Sequence, residues 1–473
     1  MQPNEFRRHG HAVVDWIADY FENPEQWPVL PDVRPGELRS SLPQSPPAQG
    51  ESMDAVLDDF RNLIVPATTH WNHPAFMAYF ANSSTGAGVL GEALTAALNV
   101  NAMLWRTGPA ATELELVTLD WFRQMLGLPE KFFGVIGDTA SSNTLYALAA
   151  AREMHPELRI RQDGMSGRTD VPRITVYCSE EAHSSVDKAM MTLGFGLSAL
   201  RKIPTDDKLR MDAQKLDAAV KSDRRNGAVP LAVVATVGTT STTAIDPVAA
   251  IASICEREKM WLHIDASYGG TAAILPEMRY VLEGCERADS LVVNPHKWLF
   301  TPMDCSVLYT SRPDLLKQAF QHVPEFLIVP EGEAVVNLMD YGIALGRRFR
   351  ALKLWFVIRN FGVDGLQSLI RGHLRSAQHL AGWIDDDPTL ERLGDVNFST
   401  VVFRHVPAGM NEVQLNDHNA RLLERVNATR EVFLSHTKVR GRYALRVAIG
   451  NVHTTEAHVR RVLDLVREAG LLK

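Results

Sequence analysis

The chain has 473 residues, about three times the ~150-residue span of one typical domain, so two or three domains are expected. Apolar residues make up 45% and charged residues 22%, which excludes a chain dominated by disorder, collagen or coiled coil. The net charge of −7 and the pI near 6.2 argue against a protein held mainly to phosphate backbones or anionic lipid.

The spacing of Phe6, Val13, Val14, Ile17, Tyr20 and Phe21 predicts an amphipathic helix over about 5–22. A passage rich in proline follows, from Pro24 to Pro47, and reads as extended connector because proline fixes φ and lacks an N–H donor. A second helix is expected over about 53–64. Two helices on a stiff linker cannot bury their own apolar faces, so they must dock on the main body or on a second subunit. From about 86 to 310 the pattern alternates. Helices are expected at 111–126, 142–153, 184–193, 212–221 and 246–258, with short β-branched runs at 173–178, 231–237, 261–265, 290–293 and 306–310. This predicts an α/β fold whose mostly parallel central sheet has helices on both faces. After a connector at about 321–346 come a long helix at 346–360, strands near 399–405 and 443–449, and helices near 365–385, 411–426 and 455–469. The expected organisation is an N-terminal helical segment at 1–85, a large domain at 86–345 and a small C-terminal α+β domain at 346–473.

The four cysteines, Cys178, Cys255, Cys285 and Cys305, show neither CxxC nor Cys/His ligand spacing. No metal site is therefore expected, and such sparse use suits a reducing compartment. The first ten residues lack the apolar core of a secretory leader, and no run approaches the ~18 apolar residues of a membrane span. The expectation is a cytoplasmic protein without nucleic-acid or membrane partners.

Ligands of parallel sheets sit at the carboxyl ends of the strands. Three predicted strands end in unusual polar groups: Val237 runs into Gly238-Thr239-Thr240-Ser241, Ile264 into Asp265-Ala266-Ser267, and Val293 into Asn294-Pro295-His296-Lys297. Lys297, set between an apolar strand and Trp298-Leu299-Phe300, would lose hydration and become nucleophilic. Asp265 reads equally well as its salt-bridge partner or as a functional carboxylate. Thr139-Ala140-Ser141-Ser142-Asn143-Thr144 decides between the two, because small residues at a helix start leave N–H groups free to hold an anion. A cofactor with a phosphate, an aldehyde for lysine and a basic ring nitrogen for a carboxylate is pyridoxal 5′-phosphate.

The chain resembles the pyridoxal phosphate-dependent group II decarboxylases, most of all their aromatic L-amino acid branch. The likeness is carried by Asn4-Glu5-Phe6-Arg7-Arg8, Thr69-His70-Trp71, Thr112-Glu113-Leu114-Glu115, Ala182-His183-Ser184-Ser185, His263-Ile264-Asp265, Asn294-Pro295-His296-Lys297-Trp298 and Leu345-Gly346-Arg347-Arg348-Phe349-Arg350. The resemblance implies fold type I and a homodimer with shared active sites, the N-terminal segment wrapping the partner and Gly346 approaching the other subunit's cofactor. It implies Lys297 as the Schiff-base lysine, Asp265 as the partner of the ring nitrogen and His183 as the imidazole stacked over the ring. Ala140, Ser141 and Asn294 resemble the phosphate binders, and Thr240 and Ser267 line the cofactor. Ser267 stands where alanine is familiar. His296 is similar to a position near the phosphate and the catalytic loop.

The implied reaction is decarboxylation of an aromatic L-amino acid to an arylalkylamine. Trp71, Tyr79 and Phe80 match the wall of an aromatic pocket. Asn82 and Met103 depart from it, standing where threonine and an aromatic are frequent, and Ala344 occupies a position that varies with substrate. Pro324-Glu325-Phe326-Leu327 places Phe326 where the family has a proton-donating tyrosine. A phenyl group cannot donate a proton, so formation of an aromatic acetaldehyde, as in the family's aldehyde synthases, is the alternative. Two rivals carry less. An aminotransferase would clamp the substrate carboxylate with an arginine such as Arg404 or Arg446, although arginines on such strands are usually solvated. A non-catalytic pyridoxal-binding scaffold would not need the lysine, aspartate and histidine together.

Overall fold

The computed structural model describes residues 1–322 and 330–471. One sheet has the strands β1 (Phe133–Gly137), β2 (Ile174–Ser179), β3 (Leu200–Ile203), β4 (Val229–Thr236), β5 (Trp261–Asp265), β6 (Ser290–Val293) and β7 (Ser306–Thr310), and the five β-branched runs fold into β2, β4, β5, β6 and β7. Their order is β1-β7-β6-β5-β4-β2-β3. The pairs from β3 through β2, β4 and β5 to β6 are parallel, and β7 runs antiparallel to both β6 and β1. Strands β2, β5, β6 and β7 are buried at every position, as a sheet covered on both faces requires.

The expected helices appear at Pro109–Leu126, Ala140–Arg152, Ser185–Thr192, Ala213–Arg225 and Val248–Glu258. Among the elements of this region that were not anticipated are two strands and the helix Gly86–Leu98. Strand β1 contains Gly134 and Gly137, and β3 is a four-residue edge carrying Arg201 and Lys202; both compositions weaken a strand reading. The helix Gly86–Leu98 contains three glycines. Gly91 explains one of them: a Cβ there would lie 2.8 Å from Cα of Lys353, so only glycine allows the close approach of the helix Ala351–Asp385. The two helices expected at 346–360 and 365–385 are joined in this long helix, which is broken at Gly362 (φ 63°, ψ 172°).

The chain divides into two compact units. One comprises residues 82–381 and 393–401 and holds the seven-stranded sheet. The other comprises residues 1–81, 382–392 and 402–473. It contains the N-terminal helices Pro3–Glu22 and Met53–Asp59 and most of an antiparallel sheet built from β8 (Leu390–Arg392), β9 (Thr400–His405), β10 (Ser435–Val439) and β11 (Arg442–Ala448), in the order β10-β11-β9-β8. Trp16 meets Phe60 edge-on at 4.8 Å between ring centres. Phe76 and Phe433 pair in backbone and pack in a small core with Val29 and Ala78. Phe6 and Val14 remain 68% and 55% exposed, so the N-terminal helices do leave apolar surface uncovered within the chain. Among the described residues no helix is long and apolar enough to cross a membrane.

Candidate active site

The parallel register sets the carboxyl ends of three strands side by side. Asp265 closes β5, opposite Thr236 of β4 and Val292 of β6. Immediately after β6, Asn294 donates its backbone N–H to Ser267 O over 3.1 Å, tying the two strand ends together. Pro295–Trp298 then forms a single helical turn with proline at its start. Lys297 sits on this turn, half-buried, its backbone N–H on Asn294 O at 3.0 Å. Trp298 anchors the turn: it is fully buried, stacks on Tyr268 at 4.8 Å and donates Nε1–H to His373 Nδ1 at 3.0 Å.

The carboxylate of Asp265 is 5% exposed, and its Oδ1 accepts both the backbone N–H and the hydroxyl of Ser267. The serine hydroxyl thus aims the carboxylate. Beneath it, His263 is fully buried between Ser290 Oγ (2.8 Å) and Thr144 Oγ1 (3.3 Å), and burial lowers its pKa to about 4. His183 precedes the helix Ser185–Thr192 and accepts the Ser185 N–H on Nδ1 at 3.1 Å. The proton of the neutral ring is therefore on Nε2. Desolvation lowers the pKa of His183, with Asp265 opposing the shift and Lys297 adding to it, which brings the three groups within one electrostatic neighbourhood.

The helix Ala140–Arg152 starts beside these strand ends. Its N-cap Thr139 makes no side-chain cap, so the N–H groups of Ala140 and Ser141 have no acceptor from the helix itself. Both residues are half-buried. Thr240 is exposed on the turn after β4, and Ser267 is buried.

The pyridoxal-dependent decarboxylase conserved domain matches residues 35–406. Tyrosine decarboxylase 4 of Petroselinum crispum is 41% identical over 97% of this chain and 92% of its own length. Phenylacetaldehyde synthase of Arabidopsis thaliana is also 41% identical, over 99% and 96%. A crystal structure of Catharanthus roseus tryptophan decarboxylase in complex with L-tryptophan superposes with a TM-score of 0.92 at 38% identity, covering 99% of both chains. The chain belongs to the pyridoxal-dependent decarboxylases. It is a carboxy-lyase whose cofactor is pyridoxal phosphate and whose fold is the type I fold of that family.

The residues of this decarboxylase fit the cofactor. An amine, a buried carboxylate held by two donors and an uncapped helix start face the same edge of the sheet, as an aldehyde, a ring nitrogen and a phosphate require. The remaining expected positions have the following surroundings. Trp71, Tyr79 and Phe80 belong to the other compact unit, where Trp71 stacks on Phe76 at 4.2 Å and Arg446 lies over the Phe80 ring at 4.5 Å. Asn82 contacts Met303 Sδ at 3.6 Å, and Met103 Sδ receives Asn101 Nδ2 at 3.5 Å. Ala344 and Gly346 line a cavity of about 100 Å³ with Asp138, Tyr146 and Arg350. Phe326 lies outside the described residues. The expectation that Arg404 and Arg446 are solvated is corrected: they are 4% and 3% exposed. Arg404 is paired with Glu391 and Glu412, and Arg446 donates to Tyr79 O, because the antiparallel sheet buries the face that carries them.

His296 is 3% exposed and accepts the Cys305 N–H on Nδ1 at 2.9 Å; burial lowers its pKa to about 3. It thus holds the turn that carries Lys297 against the start of β7. The unfolded chain takes up a proton near pH 6.5 and the folded chain does not, so the stability His296 supports is complete above about pH 6.5 and drains as pH falls toward about 3. The slope is at most about 1.4 kcal/mol per pH unit. Asparagine at this position keeps an acceptor for Cys305 without titrating. In urea unfolding between about pH 7 and about pH 5, His296→Asn should lose less stability than the parent enzyme; an identical loss in both would contradict this account.

Sequence reasoning missed Ser306 and Ser290, and it took Asn143 and Thr144 only as members of the helix-start cluster, without their supporting hydrogen bonds. All four are buried: Asn143 and Thr144 join the helix Ala140–Arg152 to Ser306 and His263, and Ser290 ties β6 to His263 and Trp261 of β5. The available signal was a polar residue on an otherwise apolar face, which is indistinguishable from a surface residue until the strands are ordered.

Proposed function

We propose that this decarboxylase acts on an aromatic L-amino acid, with Lys297 as the residue that binds the cofactor covalently. The likeness over nearly the full length to relatives named for tyrosine, phenylacetaldehyde and tryptophan carries the reading. Pyridoxal phosphate, once bound, supplies an aldehyde for amines and a cationic ring that accepts the electron pair left at Cα. Asp265, fixed by Ser267, keeps the ring nitrogen protonated; Asn294, Ala140 and Ser141 hold the phosphate; Thr240 lines the pocket. His183, neutral and with its proton on Nε2, would lie over the ring, and His296 supports the turn that carries Lys297.

The enzyme works as a homodimer, the N-terminal segment 1–85 covering the partner and Gly346 reaching the partner's site. Support comes from uncovered apolar surface: Leu90, Leu94 and Leu98, spaced along one side of the helix Gly86–Leu98, are 55%, 48% and 61% exposed. The four buried free cysteines suit a cytoplasmic location.

A second reading is favoured by Phe326. Without a phenolic proton at that position, Cα stays electron-rich after loss of carbon dioxide and reduces dioxygen. Amino acid, dioxygen and water then give aldehyde, carbon dioxide, ammonia and hydrogen peroxide. The test is incubation with L-tyrosine, L-dopa, L-tryptophan and L-phenylalanine while amine, aldehyde and peroxide are measured together. Aldehyde and peroxide in equal amounts support the second reading, and amine alone supports the first. If aldehyde forms, Phe326→Tyr should move the product toward amine by the factor of about 10²–10⁴ that a positioned acid contributes. An unchanged product ratio would assign the proton to another group.

A further inference from the structure

Three polar side chains form a line beneath the phosphate end of the site. Asn143, in the first turn of the helix Ala140–Arg152, donates from Nδ2 to Ser306 Oγ over 2.8 Å, and Ser306 donates to Asn294 Oδ1 over 2.6 Å. All three are at most 2% exposed. A serine hydroxyl carries one proton, so its neighbours dictate the direction of the line. With Asn143 donating, Ser306 must pass its proton to the oxygen of Asn294. The amide NH2 of Asn294 is thereby left for another acceptor, and among the described residues it meets none.

This direction has a cost that the structure displays. Asn143 Oδ1 is buried without a hydrogen-bond partner, against a backbone so near that a Cβ on Gly137 would lie 2.3 Å from it. Such an orphan costs about 1–3 kcal/mol. Turning the Asn143 amide over would let its oxygen take the Ser306 proton. Asn294 would then have to turn as well, donating to Ser306 and offering its own oxygen to the anion.

We infer that Asn143 is a positioning residue that sets the polarity of Asn294, so that this amide presents donors to the phosphate of the cofactor. The inference rests on the reading that Asn294 binds that phosphate. The apoenzyme is compared by equilibrium dialysis against pyridoxal phosphate and against pyridoxal, which lacks the phosphate. Asn143→Asp only accepts, so it should raise the dissociation constant of pyridoxal phosphate by about tenfold or more and that of pyridoxal by less than about twofold. The added charge is separated from the relay by repeating the change in a Ser306→Ala background, where it should cost less than about threefold. An equal cost in both backgrounds, or an equal loss for both ligands, overturns the inference. If Asn143→Asp does not fold, Asn143→Leu removes the donor together with the orphan oxygen, and a selective loss of about threefold is expected; no selective loss overturns the inference. Asn294→Ala tests the parent reading. If it keeps the preference for the phosphorylated ligand, that reading fails; if it loses the preference while Asn143→Asp keeps it, only the relay fails.

Discussion

In the Lys297→Ala variant, carbon dioxide release should fall by roughly 10³-fold or more, the scale on which removal of one member of a cooperating catalytic unit is felt. The fold should survive. The side chain is half-buried on a single turn whose placement comes from Pro295, the buried stack of Trp298 on Tyr268 and the His296–Cys305 hydrogen bond. None of these contacts uses the lysine amine. Borohydride added to the parent holoenzyme should fix the cofactor to a peptide containing Lys297 and leave the variant unlabelled. Turnover retained in the variant, or labelling of a different lysine in the parent enzyme, would remove Lys297 from the covalent role. Lys297→Arg separates charge from chemistry: it restores the cation beside Asp265 and His183 but not a nucleophilic amine, so it should remain as inactive as alanine.

The strand ends that carry the candidate residues were more legible in the chain than the support beneath them. Asp265, Asn294 and Lys297 could be placed because each directly follows a continuous apolar run, and a buried parallel strand is the pattern a sequence announces most clearly. Ala140 and Ser141 were legible as a helix start because small residues precede an apolar stretch. Strand β1 was not, since its glycines serve close packing, with a Cβ on Gly134 only 2.8 Å from the Tyr309 ring. The relay from Asn143 through Ser306 to Asn294 joins positions 143, 306 and 294, which no local pattern connects. The hydroxyl of Ser267, standing where alanine is familiar, adds a hydrogen bond to Asp265. The substrate wall is the least determined part, because Trp71, Tyr79 and Phe80 have ordinary packing partners and Phe326 lies outside the described residues.

Two of the motifs that carry the family likeness turn out to be one buried ion pair. Glu115, in the helix Pro109–Leu126, is 1% exposed, and Arg347 is 9% exposed. Their contacts are bidentate, at 2.8 and 3.3 Å, and Arg347 also donates to Ile136 O at 2.9 Å while Glu115 accepts the Ile136 N–H at 2.9 Å. The pair therefore fastens β1 to the segment that carries Gly346. Glu115→Gln leaves a guanidinium buried without its counter-charge, and the expected loss of stability is about 3–5 kcal/mol, read as a lower urea midpoint. Replacing both partners, Glu115→Leu with Arg347→Met, removes both charges and should recover most of that loss. On the proposed role of Gly346, activity should not recover with it, because the double variant lacks the side-chain hydrogen bonds to Ile136 and keeps only the backbone ties of position 347 to Asn101 and Ala102. Recovery of stability and activity together would mean that the pair serves the fold alone; recovery of neither would mean that its hydrogen bonds, rather than its charges, dominate.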